Sequence, residues 1–200
     1  CYATDTPGSR RTPPGAALPS PHKTKHVLMM KTASPDLNRY AGPILSLSLA
    51  AVFAWLLVRN LGLNPAIFAD EWYYSKMARL MPLSEAIVPS YLYLWLSRGS
   101  MACGDGFLDC VRVGNALFWV GGGFLFYLVA RNYMPRLLAI ALVVAGLLAP
   151  TNLYTSFFMP EATYYFGFAA LSWVALSPAA WTGLQGALAG GLVVGLSGLV

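Results

Sequence analysis

Asp70 and Glu71 stand side by side in Asn64-Pro65-Ala66-Ile67-Phe68-Ala69-Asp70-Glu71-Trp72-Tyr73-Tyr74, a few residues after the first stretch of the chain long enough to cross a bilayer. A carboxylate kept next to lipid is costly, so an acidic pair at a membrane mouth is a candidate functional site. The chemistry open to it is general-base catalysis. A carboxylate within hydrogen-bond reach of a hydroxyl or amine removes its proton as the new bond forms, an effect worth ~10² to 10⁴-fold in rate. A second acid calls for explanation as well: from Leu137 to Val200 the only charged side chain is Glu161.

The elements that must position these acids follow from composition. With 57% hydrophobic and 10% charged residues, the chain reads as an all-α integral membrane protein, a multi-span bundle of transmembrane helices. Residues 1–39 lack periodic apolar spacing and are expected to be a disordered basic cytoplasmic tail. The six cations of this tail (Arg10, Arg11, Lys23, Lys25, Lys31 and Arg39) read as a topology signal, and no nucleic-acid partner is expected. The chain opens on Cys1, and Met30-Lys31 precedes a short leader into the first span, so part of the tail is read as foreign to the native protein.

Uncharged runs place five spans at about 40–60, 112–131, 137–156, 162–177 and 183–200, with a turn at Ser177-Pro178. Residues 40–200 form one membrane domain. With the tail inside, Arg131 and Arg136 also fall inside, whereas the loop 61–111 and the link around Tyr154–Glu161 fall outside. Both acidic sites then share the non-cytoplasmic face. Because the chain stops within an apolar helix, it reads as a fragment of a longer protein.

The outer loop is rich in apolar and aromatic residues, which predicts helices lying in the membrane interface. Asn64-Pro65 looks like a helix start, and a second short helix begins near Pro89 and carries Tyr91, Leu92, Trp95 and Leu96. Cys103 and Cys110 share this loop. They either close a disulfide, which an oxidising face permits, or remain free thiols, and their spacing does not decide between the two.

The order of these segments resembles the N-terminal part of the polytopic C-type glycosyltransferases, the family that includes protein O-mannosyltransferases and the enzymes that add aminoarabinose to lipid A. The resemblance is carried by Ala69-Asp70-Glu71-Trp72-Tyr73-Tyr74, by Pro-Ser-Tyr-Leu-Tyr-Leu-Trp-Leu at 89–96, by Arg112-Val113-Gly114-Asn115-Ala116-Leu117-Phe118, by Met159-Pro160-Glu161 and by the glycine-rich 183–198 segment. It implies inverting transfer of a sugar from a polyprenyl-phosphate carrier to a glycan, lipid or protein acceptor, on the outer face of a bacterial inner membrane. Asp70 is then the base, with Glu71 and Glu161 completing the catalytic site. Trp72, Tyr73, Tyr74, Lys76, Arg79 and Arg112 are the candidates for substrate contact, with Arg98 a further local cation. No cofactor is certain, but a divalent cation against the carrier phosphate is possible, and the metal ligands are left unassigned.

Plainer readings stand beside these. The acidic pair can be a solvated helix start favoured by the helix dipole, and Glu161 can cap the fourth span. Arg112 can mark the membrane boundary, and Asn115 can pack between helices. Aromatic residues commonly anchor the interface, and Gly121-Gly122-Gly123 reads as close helix packing. The alternatives to a transferase are a transporter or flippase and a non-catalytic membrane subunit.

Overall fold

The computed structural model describes residues 38–62, 69–87 and 90–176, together with Gly186, Gly190, Gly191 and Gly195. Among these residues the chain is all-α, without strands. Its helices are α1 (Ala41–Asn60), α2 (Ala69–Leu80), α3 (Tyr91–Arg98), α4 (Phe107–Ala130), α5 (Arg136–Leu147) and α6 (Glu161–Leu176). Tight 3₁₀ turns at Gly99–Gly106 and Pro150–Ser156 lead into α4 and out of α5.

Two helical stretches are long and apolar enough to cross a membrane. The 20 residues of α1 extend ~30 Å and the 24 of α4 ~36 Å, which matches a ~30 Å hydrocarbon core. Their outer faces are apolar. Leu47 and Val58 on α1 and Leu117 and Phe124 on α4 are exposed, as are Leu142 on α5 and Phe168 on α6. A continuous apolar exterior of this kind suits lipid better than water.

The expected boundaries shift in three places. The helix that covers the expected second span begins at Phe107, so α4 takes in the last residues expected of the outer loop. The span expected over 137–156 is broken: α5 has 12 residues, only ~18 Å long, and the following turn bends from it by 59°. The cause is in the sequence, because Pro150 has no amide hydrogen and forces Ala149 into extended backbone (ψ 154°). Finally, residues 38 and 39, placed in the unstructured tail, are helical. The rest of that tail, the helix starts at Asn64-Pro65 and Pro89, and the turn at Ser177-Pro178 lie outside the described residues. So does the span expected at 183–200, except for the four described glycines, which are helical.

The core is built on α4. Trp119 stacks on Tyr165 of α6 with ring centroids 4.2 Å apart and donates to the Leu147 carbonyl of α5 at 3.1 Å. Gly122 lies directly beneath that tyrosine; a Cβ there would sit 2.6 Å from Tyr165 Cε1. Small residues are what let helix backbones approach this closely. Val52 and Leu56 of α1 and Ala139, Ile140 and Val143 of α5 complete the same buried cluster.

A second, smaller core gathers α2, α3 and the start of α4 around Met77, Ala78, Tyr93, Leu94, Val111 and Phe158. This is the pair of short helices expected in the first outer loop. They pack against each other and onto the end of the helical bundle. Arg98 ties them, donating to the Ala78 and Met81 carbonyls at 3.1 and 2.6 Å, so that a cation of α3 caps the C-terminus of α2.

One end of the bundle is stitched by polar side chains. Gly62 adopts φ 73° just past α1, a left-handed stop that glycine takes without strain, and its amide reaches Asp109 Oδ1 at 3.4 Å. Arg59 donates to the Asn152 side chain and to the Asn152 carbonyl at 3.0 Å. Asn60 donates to Thr155 Oγ1 at 2.8 Å. These contacts place the Pro150–Ser156 turn at the same end as Asn60 and the start of α4, with Arg131 and Arg136 at the other end.

Candidate functional site

Asp70 and Glu71 occupy the first turn of α2, where unpaired backbone amides favour negative charge. Neighbours along a helix point in different directions, and here the two acids part company. Asp70 is exposed. Glu71 is 4% exposed, and its Oε1 accepts from the Phe158 amide at 2.9 Å, while Oε2 is buried without a partner.

That bond carries the chain from α2 to the threshold of α6, because Phe158 lies just before Met159-Pro160-Glu161. Glu161 sits in the first turn of α6, half-buried, and its Oε2 also lacks a partner. Burial raises its carboxyl above the ordinary 4.5, a bond to its own backbone amide opposes this, and the charge of Asp70 adds to the rise. The three acids therefore gather at one end of the molecule, although Glu161 stands far from Asp70 in the chain.

Aromatic side chains of α2, α3 and α4 meet Phe158 beside them. Tyr74 and Tyr93 meet edge to face at 5.8 Å, Tyr93 and Phe158 do so at 6.1 Å, and Phe107 continues the column at 6.3 Å from Phe158. Ser90 Oγ and Tyr164 Oη share a 2.6 Å hydrogen bond. Burial raises the Tyr74 hydroxyl above its ordinary value, the Ser90 hydroxyl opposes the rise, and Tyr164, Glu161 and Asp70 add to it.

The remaining expected residues are placed as follows. Trp72 and Tyr73 are exposed on α2, and Lys76 Nζ lies 5.0 Å from the Trp72 ring. The Arg79 guanidinium stacks 3.4 Å from the Phe107 ring. Glu71 pairs with neither cation. Arg112, a candidate for substrate contact, is 4% exposed; it donates to the Ser156 carbonyl at 3.0 Å and pairs with Asp109 at 2.9 Å. Its role is to hold the segment before Glu161 against α4, helped by Asn115, which donates to the Phe157 carbonyl at 2.7 Å.

Cys103 and Cys110 are joined by a disulfide. Between them Gly104 has φ 55°, a backbone that glycine adopts readily. Among the described residues no three His, Cys, Asp or Glu side chains converge closely enough to hold a metal ion. Asp70, Glu71 and Glu161 do not by themselves make the ligand set of a cation.

Ser90, Tyr93, Phe158 and Tyr164 belong to the site and were not singled out from sequence as site residues. Tyr93 and Ser90 lie inside the Pro-Ser-Tyr-Leu-Tyr-Leu-Trp-Leu segment, whose aromatics read as interface anchors. Phe158 contributes a backbone amide, which carries no residue signature. Comparison with protein-family models, with curated proteins and with solved structures finds no match to this chain.

Proposed function

We propose that this chain belongs to a multi-span membrane glycosyltransferase that moves a sugar from a polyprenyl-phosphate carrier to an acceptor, with inversion, Asp70 acting as general base. The observation that supports the reading most is the gathering of Asp70, Glu71 and Glu161 at one end of the helices, with one acid exposed and the other two held by burial and backbone amides. The exposed carboxylate of Asp70 can meet an acceptor hydroxyl or amine, whereas that of Glu71 is closed off from one by the packing around it.

In this mechanism the acceptor oxygen or nitrogen bonds to the anomeric carbon as its proton passes to Asp70. The bond from that carbon to the carrier phosphate breaks, and its electron pair leaves on the phosphate. One base is sufficient for a single displacement. Glu71 positions Asp70 by fixing the first turn of α2 to the segment before α6. Glu161 carries a raised proton affinity into the same neighbourhood. The site faces the outside of a bacterial inner membrane in this reading, with α1, α4, the broken α5 and α6 as spans.

The test is transfer from polyprenyl-phosphate mannose and polyprenyl-phosphate aminoarabinose in membranes containing the full protein, read as release of free polyprenyl phosphate. Asp70→Asn is expected to lower turnover by ~10² to 10⁴-fold with membrane insertion unchanged. Near-normal turnover in that variant removes the proposed base. A non-catalytic subunit would show no turnover to lose. A carrier or flippase would move lipid-linked sugar across the bilayer without releasing its phosphate.

A further inference from the structure

A groove of about 390 Å³ runs between α4, α5 and α6. Among the described residues its walls include Phe126 and Val129 of α4, Leu142 and Gly146 of α5, and Tyr165 and Leu176 of α6. It is open to the outside, since Leu142 and Leu176 are exposed. From Tyr165 to Leu176 α6 rises ~16 Å, about half of a ~30 Å hydrocarbon core. The groove therefore has the length of one leaflet. Toward the middle of the helices the Tyr165 ring meets Phe126 at 5.4 Å. At the other end Tyr133, also part of the lining, donates from Oη to the Leu176 carbonyl at 3.2 Å.

That second end is the basic one. Arg131 follows α4 and Arg136 opens α5, with Tyr133 between them in the chain. Both arginines are exposed, and among the described residues neither side chain is paired. No acidic residue occurs from Val113 to Pro160 or after Glu161, and the acids already described lie at the opposite end of the helices. At the start of α5 the helix dipole disfavours a cation, and that turn has no acid to offset it.

We infer that the groove holds an acyl chain of an anionic phospholipid whose phosphate meets Arg131 and Arg136. Guanidinium groups take phosphate oxygens two at a time, and basic residues beside gaps between membrane helices recruit anionic headgroups. A neutral lipid would fill the groove and leave both arginines unmatched. A free phosphate would meet the arginines and leave the groove unfilled. The site lies at the end of the helices away from Asp70, and the inference does not rest on the transferase reading.

The test uses the full chain in detergent micelles. Dioleoyl phosphatidylglycerol, dioleoyl phosphatidylcholine and glycerol phosphate are titrated separately, and the ligand retained is counted by native mass spectrometry. Phosphatidylglycerol is expected to bind about 25-fold more tightly than phosphatidylcholine, the worth of two surface arginines, and glycerol phosphate is expected not to be retained. Arg131→Gln combined with Arg136→Gln should bring phosphatidylglycerol down to the level of phosphatidylcholine. Gly146→Leu should lose both lipids by filling the groove; a Cβ at Gly146 meets nothing within 4 Å, so the variant is expected to fold. Equal retention of the two lipids by the wild type, or phosphatidylglycerol binding that survives Gly146→Leu, overturns the inference. Glycerol phosphate bound as tightly as phosphatidylglycerol would leave a simple anion site, and a dimer that Gly146→Leu dissociates would make a second copy the occupant; either result also overturns it.

Discussion

Asp70 and Glu71 are adjacent in sequence yet meet opposite environments, and that contrast sets what substitutions at each should do. Glu71 satisfies a buried amide, so Glu71→Ala orphans the Phe158 N–H and is expected to cost ~1–3 kcal/mol. Glu71→Gln keeps an acceptor and should cost less. Thermal unfolding of the two variants in detergent checks the order. Glu161 gives a pH prediction. Its native carboxyl holds its proton more tightly than the unfolded one, so its contribution to stability is complete below about 4.5 and is lost as pH rises through the higher native value. The melting temperature of the wild type minus that of Glu161→Gln should therefore fall as pH rises above 4.5. A difference that stays flat would show that the native carboxyl is not raised. Glu161 was legible in sequence because it is the only charge from Leu137 to Val200, and Asp70 and Glu71 because they are an adjacent pair soon after the first apolar run. The partner of Glu71 was not, because a backbone amide looks the same at every position.

At the scale of elements, α4 organises the rest, and glycine is what lets it do so. Gly122→Ala would drive a Cβ to 2.6 Å from Tyr165, a ring already stacked on Trp119 and unable to yield without losing that contact. We expect ~1–3 kcal/mol of destabilisation, seen as a lower melting temperature, whereas Gly114→Ala, facing open space, should change little. The packing role of Gly121-Gly122-Gly123 was readable from their place inside an apolar run without strand context. The two short helices of the first loop were readable too, since aromatic and polar residues alternate there in a pattern that neither a span nor a solvated loop would show. The break after α5 was written at Ala149-Pro150, but hydropathy averages over a proline that backbone geometry cannot ignore. The partners of Arg112 were not legible for a similar reason: a guanidinium suited to phosphate is equally suited to a carbonyl, and only the fold shows that Ser156 supplies one.

For the whole molecule, the arrangement of ends is the testable quantity. Contacts from Arg59, Asn60 and Arg112 put the Pro150–Ser156 turn, the acidic cluster and the disulfide-bearing turn at one end of the helices, opposite Arg131 and Arg136. If the basic tail, together with Arg131 and Arg136, marks the cytoplasmic side, Cys103 and Cys110 face out. A membrane-impermeant thiol reagent should label them in intact spheroplasts only after reduction of the disulfide. Labelling that requires opening the membrane would invert the orientation and place Asp70 on the cytoplasmic side. The all-α class was legible from composition alone, since 57% hydrophobic residues with few charges leave little else. The groove between α4, α5 and α6 was not, because it is made by residues from three helices whose closeness no local pattern encodes.

The bond from Glu71 to Phe158 joins residues 87 positions apart. During synthesis at ~5–20 residues per second, Phe158 is made roughly 4 to 17 s after Glu71. Throughout that interval the carboxylate has no Phe158 amide to meet. The acidic cluster is thus completed only once residues 158–161 have been made, and a ribosome stalled before residue 158 would hold a chain in which Glu71 exists and its partner does not.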